Sequence, residues 1–203
     1  IGQMPFLATI VASEIVSGEY SKGTFRMYLS RPVSRKHVLV SKLIVVIFYT
    51  ILMMFFFIFY TLLISCILLG IGDLAVFHMG LLFLGQDDIL WRFVLAFFTS
   101  SFVMVTISNL CFMLSTFSKN SVTPIIITIS TVFIGTAISF IPLKLFELIN
   151  PFLFTGYIDL FLTSFYDPVP WHTILSAALV CLSWSVLFLS FSFYHFNKKE
   201  IVA

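Results

Sequence analysis

The residues able to do chemistry are few and scattered. Cys66, Cys111 and Cys181 fall at no paired or metal-ligand spacing, and His37, His78, His172 and His195 form no cluster along the chain. A zinc site or an activated nucleophile needs ligands or a base at short fixed offsets, as in H-E-x-x-H, and no such run occurs. Asp87 and Asp88 are adjacent. On a helix or a strand their side chains point apart, so they read as solvated carboxylates and not as a pair converging on one metal or proton. The run GEYSKGT, residues 18–24, has two glycines five apart, as a phosphate-binding loop does. That loop needs Lys directly after its second glycine and Ser or Thr next, whereas Thr24 and Phe25 follow Gly23. Catalysis, a bound metal and a nucleotide site are therefore not expected of this chain, and the cysteines read as small packing residues.

What remains is charge. Residues 13–42, SEIVSGEYSKGTFRMYLSRPVSRKHVLVSK, hold Glu14, Glu19 and six of the eleven Lys and Arg: Lys22, Arg26, Arg31, Arg35, Lys36 and Lys42. A polar loop between two spans must be solvated, and basic residues anchor such a loop to anionic lipid at about 1 kcal/mol each. That accounts for the sign of the charge and leaves the order of residues unexplained.

The elements that position this segment are apolar. Sixty per cent of the 203 residues are hydrophobic, 10% are charged and 26 are Phe, against roughly a quarter charged in a soluble domain. The composition is that of a membrane protein, with a single membrane domain undivided by linkers. Four segments are long enough to span about 30 Å of hydrocarbon: 38–69, 89–117, 122–143 and 171–196. Residues 1–12 are too short to cross and are expected to be the tail of a longer span whose earlier part is missing; no basic run precedes them as in a signal peptide. Placing 13–37 in the cytoplasm and alternating through the spans puts Lys22, Arg26, Arg31, Arg35, Lys36, Lys42, Lys119, Lys198 and Lys199 on the inner side, leaving Arg92 and Lys144 outside with Asp73, Asp87, Asp88, Glu147, Asp159 and Asp167. This is the asymmetry that retention of basic residues in the cytoplasm produces.

Within 13–37 the local signals alternate between helix and stop. Residues 13–20 can continue a helix, Gly23 can end it, and Thr24 can cap a short amphipathic piece, FRMYLS. Pro32 forbids simple continuation and Ser34 can cap the long helix that follows. The order E-x-x-x-G-T, then L-S-x-P-x-S-R, then Lys42 at the head of a span resembles the first cytoplasmic loop of the type-two family of ABC transporter permeases. The resemblance extends through the hydropathy pattern to nearly the whole chain, from the end of that family's second helix to its sixth.

The resemblance implies an all-α, polytopic transmembrane bundle in which this loop forms a coupling helix docking on a separate ATP-binding subunit. Carried over onto this sequence, the coupling residues are Glu19, Gly23, Thr24, Arg26, Leu29, Pro32, Ser34 and Arg35. ATP and magnesium are then expected on the partner, with no cofactor bound here. The expected partners are that subunit, a second permease copy or homologue, and the lipid bilayer, with no nucleic acid. The expected site is a bacterial inner or plasma membrane, and the expected function is ATP-driven export. A channel-like or structural membrane protein is the alternative class.

Small residues recur at helix-packing spacing: Thr131, Gly135 and Ser139 every four, Ser101, Ser108 and Ser115 every seven, and Ser176, Ser183 and Ser190 again every seven. They can pack helices or line a substrate path. Asn109, the most polar residue deep in a span, is expected to bond a neighbouring helix. Residues 144–170 are apolar but broken by Pro151, Gly156 and Asp159. They are expected either as two short helices dipping into the outer leaflet, as in that family, or as an interfacial loop anchored by Tyr157, Tyr166 and Trp171. Spans without Asp, Glu, Lys or Arg well inside them suit an amphipathic or lipid-like cargo, such as a drug, a peptide or a lipid-linked molecule, better than a bare ion.

Overall fold

The computed structural model describes residues 3–19, 35–70, 72, 74–77, 81–141 and 144–198. Four helices are long and apolar enough to cross a membrane, and they give an all-α polytopic bundle. The first helix, α1, runs Met4–Ser13 and passes without a break into a π-helical turn, Glu14–Gly18. Next comes α2, Arg35–Leu69, which stops at Gly70, whose φ of 79° is the left-handed conformation that ends helices. A short antiparallel hairpin follows, β1 Leu74–Phe77 and β2 Leu81–Leu84, with Leu74 opposite Leu84. The sequence reading did not anticipate it, because four-residue apolar runs carry too little periodicity to separate strand from helix.

Helix α3, Gln86–Phe117, starts from an extended Gly85 and ends at an extended Ser118. In the tight turn that follows, the Asn120 side chain accepts from Val122 N–H (3.2 Å) and so serves the first turn of α4, Val122–Phe140. Pro124 sits in that first turn, where its missing N–H costs nothing. The stretch expected either as two short helices or as an interfacial loop holds one α-helix, α5, Lys144–Ile149, followed by three 3-10 segments: Asn150–Phe152, Phe154–Tyr157 and Leu160–Phe165. Helix α6, Trp171–Lys198, begins directly after Pro170.

The hydrophobic window of α3 is 61% buried, against 22% for α2, 22% for α4 and 17% for α6. Helix α3 is therefore the axis on which the others lean. Those outer helices turn Phe48, Phe56, Ile67, Phe133, Phe140, Leu175 and Val186 outward. A continuous apolar exterior of this kind is what a helix bundle presents to lipid. Two cores flank the axis: Met54, Met104, Ile107, Phe154 and Phe188 towards the 3-10 segments, and Ala12, Val16, Leu39, Phe112 and Phe196 towards the π turn.

Candidate functional site: the base of the charged segment

Of the residues assigned to the coupling segment, Gly23, Thr24, Arg26, Leu29, Pro32 and Ser34 lie outside the described residues, and Arg35 opens α2. Glu19 ends the first helix. The carboxylate of Glu19 accepts from Lys42 Nζ, and the same ammonium donates to the Ile15 carbonyl. Both side chains are largely withdrawn from solvent, Lys42 at 12% exposure and Glu19 at 29%. The two ends of the charged segment are thus clasped by one ion pair. Around it lies an open cavity of about 450 Å³ lined by Ile15, His37, Val38, Ser41 and Val45.

Beneath the clasp, the first helix is bonded into the axis. Ser17 N–H donates to Ser115 Oγ (2.9 Å), and that hydroxyl donates to the Ser13 carbonyl (2.9 Å). Ser17 Oγ also donates to the Ser13 carbonyl (2.8 Å), while Ser13 Oγ donates to the Ser121 carbonyl in the turn before α4. Each hydroxyl has one proton, so with these committed the 3.3 Å approach of Ser13 Oγ to Ser17 Oγ is a contact and not a further bond. Ser13, Ser17 and Ser115 are fully buried.

The other small residues divide by environment. Ser108 Oγ meets Thr50 Oγ1 of α2 at 2.9 Å. Ser101 Oγ and Asn109 Oδ1 have no hydrogen-bond partner among the described residues, so the interhelical bond expected of Asn109 is not made by that oxygen. Thr106, one helical turn away, makes such a bond instead, to the Cys181 carbonyl (3.2 Å) and to Ser185 Oγ (3.1 Å) of α6. Gly135 packs against Thr155 of the second 3-10 segment, and Ser139 Oγ is 2.9 Å from Asn150 Oδ1 in the first. Thr131 is exposed and bonds only its own helix, at the Ile127 carbonyl. Ser176, Ser183 and Ser190 do the same on the outer surface of α6. Cys111 and Cys181 are buried, and Cys66 is exposed.

At the far end of α3, Arg92 is 4% exposed. It donates to the Tyr166 carbonyl (2.8 Å), lies 3.9 Å from Asp167, and sits over the Trp91 ring at 5.2 Å. Trp184 Nε1 donates to the Phe152 carbonyl (2.8 Å), and the rings of Phe93 and Phe165 meet edge-on at 5.0 Å. Sequence reasoning missed Arg92, Trp184, Thr50, Ser13, Ser17 and Ser121. Ser13 and Ser17 carried one usable signal, two hydroxyls four apart at the end of an apolar helix. Among the described residues no group of three or more His, Cys, Asp or Glu could hold a metal ion.

These features define a helical membrane protein whose helices α1, α2 and α6 are tied by polar contacts to one central helix. The family model of the ABC-2 family transporter proteins matches residues 3–135, and the chain belongs to that family, a membrane transport component. An uncharacterized protein of Bacillus subtilis (strain 168), YhcI, is 26% identical over 200 residues. The aligned region covers 95% of this chain and 63% of that relative. No solved structure matches.

Proposed function

We propose that this chain is the permease subunit of an ATP-driven exporter and that residues 19–35 transmit the motion of a separate ATP-binding subunit to the helices. The observation that carries this reading is the Glu19–Lys42 clasp. The ion pair joins the end of the first helix to the head of α2, and Ser17 bonds that helix end to the central helix, so the described residues that flank the segment are tied to the bundle. Force applied to the segment reaches α1, α2 and α3 together. ATP and magnesium belong to the partner, and a second permease copy or homologue completes the path. The cargo is amphipathic or lipid-like, since the groove between α2, α3 and α6 is lined mainly by apolar side chains such as Phe102 and Leu189, with Ser101, Thr106, Asn109 and Ser185 among them.

The test is expression of the full-length protein beside its genomic neighbours. Co-purification of a subunit with a phosphate-binding loop is expected, and its consistent absence would remove the proposal. In reconstituted vesicles, ATP-dependent movement of cargo away from the cytoplasmic face is expected; movement towards that face would refute export.

A further inference from the structure

In an α-helical turn the N–H of Ser17 would pair directly with the carbonyl of Ser13. Here the hydroxyl of Ser115, from another helix, stands between them, accepting from the first (2.9 Å) and donating to the second (2.9 Å). The helix is π-helical across that point, Glu14–Gly18, although α-helical before it. A polar side chain inserted into the i→i−4 ladder is a recognised cause of such a local change of helix geometry. Proton accounting supports the arrangement, because a hydroxyl can accept from the Ser17 N–H and donate to the Ser13 carbonyl at once; that carbonyl also accepts from Ser17 Oγ (2.8 Å), so the Ser17 N–H is the group that depends on Ser115. Burial makes it specific: Ser13, Ser17 and Ser115 are each 0% exposed, so no water competes for the opened pair.

We infer that Ser115 is a positioning residue that holds the end of the first helix in π register and thereby sets Glu19 against Lys42. Fitting an extra residue into the turn rotates everything beyond it by about 100° relative to a continuous α-helix. In π register Glu19 reaches Lys42 and Ile15 presents its carbonyl to the same ammonium. In α register the Ser17–Ser13 pair closes directly, Ser115 is released, and Glu19 turns away from the head of α2. The terminus is thus a two-position element controlled from the central helix, and its two positions differ in whether the clasp is closed. The consequence for transport rests on the coupling proposed above, whereas the register itself does not.

The experiment uses the full-length protein in lipid vesicles, with Cys66, Cys111 and Cys181 replaced and cysteines placed at 19 and 42, treated with thiol cross-linkers of graded length. With Ser115 present, the shortest linker that joins the pair gives the highest yield. Ser115→Ala is expected to lower that yield by about fivefold or more, the size of effect that follows from losing one bridging hydrogen bond, and to favour longer linkers. Ser115→Thr, which keeps the hydroxyl, restores the original profile. An Ala profile identical to the parent, or a Thr profile identical to Ala, overturns the inference. If the Ala protein does not accumulate, Ser115→Val, which has the shape of the Thr variant without its hydroxyl and adds no thiol, must shift the profile in the same direction; no shift overturns it. With the ATP-binding partner added, Ser115→Ala should lower transport per ATP hydrolysed, and an unchanged ratio despite a shifted profile rejects the role in coupling. Failure to find any such partner would sink the transporter reading and leave the linker profile to be judged alone.

Discussion

The two ends of the central helix are fastened by different chemistry. At the Ser115 end, the contacts tie the π-helical end of the first helix to its neighbours: Ser115 to Ser13 and Ser17, Ser13 to the turn before α4, Lys42 to Glu19. At the Arg92 end, side-chain donors serve irregular backbone: Arg92 to the Tyr166 carbonyl, Trp184 to the Phe152 carbonyl, Tyr157 to the Pro151 carbonyl. The reason is local. The 3-10 segments between 150 and 165 leave carbonyls that no regular ladder satisfies, and buried backbone carbonyls need partners. The first end keeps its ladders and spends its hydroxyls on opening and holding a single turn. One end is built to seat a cover, the other to fix the relative placement of helices, and α3 joins them over about 35 Å from Arg92 to Ser115.

The sharpest way to break this comparison is to reverse charge at the clasp. Lys42→Glu sets two carboxylates together and withdraws the donor from the Ile15 carbonyl. The loss of a charged hydrogen bond, about 2 kcal/mol, corresponds to roughly a thirtyfold shift against the closed clasp. Coupled transport should fall accordingly, while membrane insertion, which depends on the spans and on total charge, should not change. The exchange Glu19→Lys with Lys42→Glu should recover part of the activity and not all, since the Ile15 carbonyl then faces a carboxylate. Full recovery would show that the Ile15 bond contributes nothing.

The other end should respond to packing. A Cβ at Gly135 would lie 2.6 Å from Thr155 Cβ and 2.7 Å from its Cγ2, distances that require the second 3-10 segment to move. Gly135→Val is therefore expected to cost about 1–3 kcal/mol by overpacking and to expose residues 150–165 to protease. Thr155 Oγ1 has no partner among the described residues, so Thr155→Ala combined with Gly135→Ala removes the hydroxyl and methyl contacts at little cost but keeps the 2.6 Å approach of the two Cβ atoms, and should relieve only part of the strain. An unchanged melting midpoint for Gly135→Val would mean that α4 and the cover do not share this contact.

How much of this was legible beforehand differs between the two ends. The helical bundle follows from apolar runs that must span hydrocarbon, and the composition states it plainly. The family resemblance rested on residues such as Glu19 and Lys42, whose pairing across 22 intervening positions is a tertiary fact that no local periodicity encodes. Seven-residue spacing flagged Ser115, but nothing in that spacing distinguishes a hydroxyl that enters a neighbour's backbone from one that merely lets helices approach. Arg92 was read as an outer-loop charge because it lies near the start of a span. Its burial is decided by a loop more than 70 residues later, which folds back to cover it. Asn109 shows the opposite case: polarity suggested an interhelical bond, its Oδ1 has no partner among the described residues, and the bond to α6 is made by Thr106.

The smallest expected effect separates spacing from environment. Ser190 stands in the same seven-residue pattern in α6 as Ser115 does in α3, yet its hydroxyl donates to the Val186 carbonyl of its own helix (2.7 Å) on the exposed face. Removing such a group leaves no buried partner unsatisfied, because the Val186 carbonyl still accepts within the helix. Ser190→Ala should therefore change the melting midpoint by no more than about 0.5 kcal/mol equivalent, the usual range for surface substitutions. Ser115→Ala leaves the fully buried Ser17 N–H without its side-chain acceptor, while the Ser13 carbonyl keeps the Ser17 hydroxyl, at about 1–3 kcal/mol if that N–H finds no new partner. Thermal unfolding of the two variants side by side in the same detergent checks this. Equal shifts would mean that the serine spacing itself, and not the opened turn at Ser13 and Ser17, determines what these hydroxyls contribute.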